Sequence, residues 1–298
     1  MKALITGADG FVGRHLTAHL RRSGDEVVAV DRECDVTDLE AVRHVMSDNR
    51  PDVIYHLAAM THVGDSWKEP ALFARVNVLG TANVLKATRE VLDDALVLLV
   101  SSADVYGVVQ PDDLPLRESH HPVPVSPYAQ SKLEAEQIAF DSFRSEGQRV
   151  IVTRPFNHVG PGQSTQFVIP ALVERLLDAR AGGADEIAVG NLSVRRDFSD
   201  VRDVVRAYRL LVQHGRSGEI YNVASGVDVG LDDLAVELVE LVAPGMRLVP
   251  DSSLFRPVEV PVMRGDVEKL HYLTGWEASI PLSTSLHDVV ADFEDRRG

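Results

Sequence analysis

Residues 2–13, KALITGADGFVG, constrain the fold of this chain more tightly than any other stretch. An apolar run, KALIT, leads into Gly7, Gly10 and Gly13, and an amphipathic segment continues from about Val12 to Arg22. Glycines at a strand–helix junction permit a tight turn. They also let backbone amides and a helix N-terminus approach a pyrophosphate. Spaced glycines alone say little, because loops are glycine-rich anyway; the strand before and the helix after give them meaning.

The same strand–helix rhythm continues through the first half. EVVAV (26–30) is followed by a helical segment near Leu39–Asp48, then DVIYHLA (52–58), then a helix near Ala71–Leu92. ALVLLVSS (95–102), a helix carrying Tyr128 and Lys132, and RVIVTRP (149–155) complete the series. Apolar runs without strict alternation predict strands buried on both faces, as in a parallel sheet covered by helices. The expected fold is therefore α/β, a Rossmann-type doubly wound parallel sheet. Beyond Pro155 the rhythm becomes irregular, with a Gly/Pro loop, HVGPGQSTQ, and a Pro-rich stretch, FRPVEVPVMRGD. The predicted division is a dinucleotide-binding domain over 1–160, to which 196–225 returns, and a smaller interleaved substrate-binding lobe over 161–298.

A formal net charge of −15 disfavours nucleic acid and anionic membranes as partners, since basic patches bind both. One cysteine, Cys34, rules out an internal disulfide and suits a reducing compartment. No apolar run approaches the roughly 20 residues of a membrane span, and no signal-peptide core precedes MKALITG. A cytoplasmic protein is expected. The adjacent histidines of SHHP (119–122) lack a third ligand at a recognisable spacing, so no metal is expected.

Asp31, ending the second strand in VVAVDR, is placed to accept hydrogen bonds from an adenosine ribose and to disfavour a 2′-phosphate. Arg32 beside it has the opposite preference. In SPYAQSK (126–132), Tyr128 and Lys132 are four apart and share a helix face. Such a pair is either a lysine draped over a ring or an acid–base couple in which the ammonium lowers the phenol's pKa. Arginines in RRDFSD and FRPVEVP suit a diphosphate, although each could equally be a surface ion pair.

Together the GxxGxxG loop, Asp35–Val36, HLAA (56–59), NVLGT (77–81), SSADVYG (101–107) and YAQSK (128–132) resemble one family along essentially the whole chain. It is the extended short-chain dehydrogenase/reductase family of NAD-dependent nucleotide-sugar epimerases and dehydratases. The resemblance implies NAD(H), with NADP(H) also usable, held by Gly7, Gly10, Phe11, Val12 and Gly13, by Asp31 and Arg32, and by Asp35 and Val36 near the adenine. Leu57, Ala58 and Ala59 would line the cleft, and Asn77 would brace the catalytic region. Ser102, Tyr128 and Lys132 would be catalytic, the lysine also reaching the nicotinamide ribose. Asp104 stands where dehydratases carry a glutamate that removes a sugar C5 proton; it is one methylene shorter and could instead cap a turn. Asn157, Asn191 in GNL, Arg196 and Arg256 would hold a nucleotide-diphosphate sugar. His62 and Trp67 could line the sugar pocket, or be an ordinary loop histidine and a core anchor.

Features of the GDP-mannose branch, GNL before Arg196–Asp197 and RPFNHVGPGQ (154–163), imply a particular reaction. It is reduction of the 4-keto group of GDP-4-keto-6-deoxy-D-mannose to GDP-D-rhamnose. Alternatives are a 4,6-dehydratase or 4-epimerase, and a non-catalytic dinucleotide-binding regulator. The family also implies a homodimer through helices near Ala71–Leu92 and Ser126–Phe143.

Overall fold

The structure, a computed structural model, describes residues 1–255 and 258–297. Its centre is a six-stranded, all-parallel sheet in the order β2-β1-β3-β4-β5-β9. These strands are β1 (Lys2–Thr6), β2 (Glu26–Val30), β3 (Val53–His56), β4 (Leu96–Val100), β5 (Val150–Pro155) and β9 (Glu219–Val223). The chain runs outward from β1 to β2, then crosses back to pair β3 on the other side of β1. The strand order reverses there, which opens a crevice beyond the C-terminal ends of β1 and β3.

Helices cover both faces, as the unalternating apolar strands require. α1 (Phe11–Arg22) and α8 (Val201–His214) bury Leu16, Leu20, Val204, Tyr208 and Leu211 against one face. On the other lie α2 (Leu39–Asn49), α5 (Gly80–Val91) and α6 (Pro127–Glu146), which bury Val42, Met46, Val84, Leu85, Ala135 and Ala139. Fully burying one such leucine or valine contributes roughly 1.5–3 kcal/mol.

The helix expected over Ala71–Leu92 is interrupted. α3 (Val63–Ser66) and α4 (Pro70–Phe73) lead into a π-helical segment, Ala74–Leu79, and only then into α5. The widened turn contains Asn77, whose amide is buried and bonded on both sides rather than facing solvent. Single π turns of this kind occur mostly at functional sites.

The remaining elements form a second layered unit. β8 (Arg195–Asp200) pairs with β6 (Asn157–Val159), β10 (Asp228–Gly230) and β12 (Val262–Met263), and β7 (Glu186–Val189) pairs with β11 (Arg247–Pro250). α7 (Val168–Gly182), α9 (Leu231–Val242) and α11 (Leu282–Asp295) share a second apolar core, including Leu172, Leu176, Leu238, Leu286 and Phe293. α10 (Glu268–Thr274) returns to the main sheet, where Leu270 and Trp276 pack beside α8. The segment rejoining the main sheet starts at Val201, because 195–200 belongs to the smaller sheet. Among the described residues no helix is long and apolar enough to cross a membrane.

Candidate active site

The glycine loop is packed to backbone contact. Gly7 has φ +74°, and a Cβ there would lie 2.7 Å from the Ala58 amide nitrogen. A Cβ on Gly13 would lie 2.2 Å from the Gly7 carbonyl oxygen. No side chain caps α1, so its first-turn amides remain open to an anion. Asp31 accepts the Asp9 amide at 3.0 Å, which ties the end of β2 to the glycine loop. Asp35 closes a turn by accepting the Thr37 amide at 2.8 Å, and this bond holds its carboxyl below the usual range. The buried Val36 accepts from Asn83 through its carbonyl and packs on Gly80. These features fit a dinucleotide: an anion-accepting helix end, a wall of backbone along Leu57–Ala58, and a carboxylate at the end of β2.

A hydrogen-bond chain invisible in the sequence runs from this loop to the catalytic helix. Thr81 donates its hydroxyl to the Asn77 carbonyl at 2.6 Å, so it accepts from His56 Nε2 at 3.1 Å. That fixes the tautomer: His56 Nδ1 accepts from the Thr6 hydroxyl at 2.8 Å. Burial, then the Lys132 charge, hold the His56 pKa down at about 3, so it stays neutral. Asn77 accepts the Met60 amide at 2.8 Å and donates to Ser131 Oγ at 2.9 Å. Ser131 in turn donates to the Tyr128 carbonyl at 2.7 Å.

α6 begins where its sequence says it should. Ser126 accepts the Ala129 amide at 3.1 Å, Pro127 occupies the first turn, and Gly147 ends the helix in the left-handed conformation. Tyr128 and Lys132 are both buried on its inner face. Ser102, two residues past β4, caps the turn containing Asp104 by accepting its amide at 3.1 Å, and its side chain opposes the rise in the Tyr128 pKa. Lys132 Nζ donates to the Val100 carbonyl at 2.7 Å. Ser102, Tyr128 and Lys132 therefore meet at one strand end, with Asp104 exposed beside them.

One electrostatic expectation is reversed. The lysine was expected to lower the phenol's pKa, yet Tyr128 is held above its ordinary value by burial and by the Asp104 charge, with Ser102 opposing. Lys132 is buried too, and its pKa drops to about 8 through burial, against the raising effect of Glu136. Tyr128 is thus a protonated phenol at neutral pH, a proton donor rather than a base.

On the other side of the crevice, β6 and β8 run in parallel with Asn157 opposite Phe198, which brings Asn157 and Arg196 onto adjacent strands. Asp197 is fully buried, accepting from the Ser225 amide at 2.7 Å, the Gly226 amide at 3.0 Å and the Gly265 amide at 3.2 Å. Arg195 pairs with Asp228 at 2.6 Å, so for this arginine the ion-pair alternative is the one observed. Asn191 closes a local turn with Ser193 at 3.0 Å and lies outside the β6–β8 pair. Arg256 is outside the described residues. Trp67 is 44% exposed and is no core anchor, and His62 pairs with Asp65 at 2.8 Å. Among the described residues no group of three His, Cys, Asp or Glu is placed to hold a metal ion.

Sequence reasoning missed Thr6, His56, Ser131, Glu136 and Arg154. Thr6, His56 and Arg154 are polar residues in otherwise apolar strand segments, and that was the available signal.

A doubly wound sheet with a glycine-rich first turn, and a serine, tyrosine and lysine at the end of its fourth strand, defines a nicotinamide-dinucleotide-dependent class of enzymes. The chain belongs to the NAD dependent epimerase/dehydratase family, whose model matches residues 3–224. It is 36% identical over 298 residues to the GDP-6-deoxy-D-mannose reductase of Pseudomonas aeruginosa, covering 99% of this chain and 98% of that one. It is 32% identical over 281 residues to the GDP-6-deoxy-D-talose 4-dehydrogenase of Aggregatibacter actinomycetemcomitans, covering 92% of each. The solved structure of RMD from P. aeruginosa complexed with NADPH superposes with a TM-score of 0.91 at 36% identity, covering 99% of this chain and all of that one.

Proposed function

We propose that this protein reduces the 4-keto group of GDP-4-keto-6-deoxy-D-mannose to GDP-D-rhamnose. The observation that supports the reaction class is the meeting of Ser102 with the buried Tyr128 and Lys132, whose Nζ donates to the Val100 carbonyl at the end of β4. The full-length likeness to the P. aeruginosa reductase supports the choice of sugar.

A bound nicotinamide supplies the hydride. Ser102 orients the ketone oxygen, and Tyr128 delivers its proton to that oxygen as the carbonyl becomes an alcohol. Lys132 would steady the phenolate left behind through its charge until solvent returns a proton, and would hold the cofactor's ribose. Gly7, Gly10, Phe11, Val12, Gly13 and the first turn of α1 bind the pyrophosphate, while Asp31, Arg32, Asp35 and Val36 enclose the adenosine half. Leu57, Ala58 and Ala59 form the cleft floor that Asn77 braces. Asn157, Arg196 and Arg256 take the nucleotide-diphosphate sugar. With Asp31 fixed by the Asp9 amide, NADH is the favoured cofactor and NADPH usable. The likeness to the family supports a homodimer through α5 and α6, and Leu79, the last residue of the π segment before α5, is 45% exposed.

The test is to add GDP-4-keto-6-deoxy-D-mannose with NADH or NADPH. Nicotinamide absorbance should fall stoichiometrically, and GDP-mannose alone should give no keto sugar. Conversion of GDP-mannose to the 4-keto product without net cofactor use would make Asp104 a C5 base and the protein a dehydratase.

A further inference from the structure

The inner face of α6 meets the end of β4 at three successive turns. Tyr128 is near enough to Ser102 for that hydroxyl to affect its pKa, Lys132 Nζ donates to the Val100 carbonyl at 2.7 Å, and one turn further Glu136 accepts from Ser101 Oγ at 2.5 Å. Glu136 is only 2% exposed, an unusual place for a carboxylate. Arg154 on β5, also 2% exposed, grips it with both arms, Nε at 2.9 Å and Nη2 at 2.6 Å. The Arg154 guanidinium lies 4.8 Å from the centroid of the Tyr106 ring, and the Tyr106 hydroxyl donates to Asn222 on β9 at 2.7 Å.

A buried ion pair is a poor source of stability, because desolvating both charges offsets most of their attraction. Its position one turn below Lys132 needs another reason. We propose that Glu136 is a positioning residue and counter-charge for the active site: it keeps Lys132 protonated and, through Ser101, fixes the strand end that presents Ser102. This rests on the reductase reading only in naming Lys132 a functional cation.

The other groups around Lys132 leave the task to Glu136. On its own helix Tyr128 is neutral. From β3 His56 is neutral and buried. β4 presents a carbonyl and two serine hydroxyls. α3 brings His62 and Asp65, which pair with each other at 2.8 Å. The π segment offers the uncharged Asn77, and Asp104 lies beyond Tyr128, whose pKa it raises. Arg154 is the opposing charge, and two of its nitrogens are taken up by the Glu136 carboxylate. Burial already brings the Lys132 pKa down to about 8, with Glu136 the one charge opposing it. Removing that carboxylate would leave burial unopposed and lower the Lys132 pKa further.

The experiment reads Lys132 directly. The chain has five lysines, Lys2, Lys68, Lys86, Lys132 and Lys269, so ¹³Cε-lysine spectra of the protein without substrate are resolvable, with Lys132→Met for assignment. Glu136→Gln should lower the Lys132 midpoint by about one unit or more, and kcat near pH 8 should fall about fivefold with its alkaline limb. Glu136→Gln with Arg154→Met, which removes both charges and so preserves folding, should lower it as well. Ser101→Ala should leave the midpoint within a few tenths of a unit while reducing kcat. An unchanged midpoint in folded Glu136→Gln or in the double variant overturns the proposal. If neither folds, Glu136→Asp decides: it withdraws the charge by one methylene and must lower the midpoint by a smaller step, and no movement overturns the assignment. Because the spectra need no sugar, an error in substrate identity leaves this result intact.

Discussion

Replacing Gly13 with alanine sets helix propensity against packing, and the two predict opposite signs. Alanine for glycine inside a helix stabilises by roughly 0.5–1 kcal/mol where there is room. At Gly13 there is none: the new Cβ would lie 2.2 Å from the Gly7 carbonyl oxygen and 2.7 Å from the Ala8 Cα. Both neighbours are backbone, so no side chain can swing away. Restoring ordinary contact requires the start of α1 to move by about 1 Å against β1, an overpacking cost of about 1–3 kcal/mol. Packing wins. The net loss of up to about 2 kcal/mol should lower Tm by a few degrees. The same movement withdraws the α1 amides from the pyrophosphate. Losing one charge-assisted hydrogen bond, worth about 1.5–3 kcal/mol, should weaken NADPH binding ten- to a hundredfold. Gly182→Ala is the control, because that helical glycine has no atom within 4 Å of its Cβ position. It should leave affinity unchanged and raise Tm slightly. Thermal melts and fluorescence titration with NADPH measure both effects. A Gly13→Ala protein with wild-type affinity and an equal or higher Tm would refute the claim that this glycine is required by close backbone approach.

Tyr128→Phe should reduce kcat by roughly 10²–10⁴-fold while the cofactor Kd stays within a factor of two or so, because only the proton donor is lost; near-normal turnover would remove Tyr128 from the mechanism. Asp31→Ala should move the kcat/KM ratio about tenfold or more toward NADPH, since it removes both a ribose acceptor and a charge that repels a 2′-phosphate. A ratio that does not move would assign the preference elsewhere. Asp25, buried and accepting from Arg209 Nε at 2.7 Å and from the N-terminal ammonium at 3.0 Å, has its carboxyl pKa lowered: burial pushes it up, but the two cations together outweigh that. A lowered folded-state pKa gives stability that is present above the unfolded value and lost as pH falls through the folded one. Asp25→Asn should therefore cost about 1–3 kcal/mol in urea unfolding at pH 7, with the gap to wild type closing below about pH 4. A gap that is constant with pH would mean the carboxylate's charge plays no part.

Local chemistry was readable in the chain itself. The glycine loop, the unalternating strands and the Ser126–Pro127 start of α6 each follow from what a single segment can bury or cap, whereas Ser102 joined Tyr128 and Lys132 only through the family resemblance. The tertiary structure decided what depends on segments distant in sequence. The π turn at Ala74–Leu79 exists where Asn77 reaches both Met60 and Ser131, so no local periodicity announces it. The protonation state of Tyr128 follows from burial that four-residue spacing cannot measure, and for that reason the expected direction of its pKa was wrong. Glu136 and Arg154 are 18 residues apart, and neither the helix that carries one nor the apolar strand that carries the other announces the pairing. Only the packing of α6 on β4 and β5 removes them from water, and removal from water is what makes a charge matter to its neighbours.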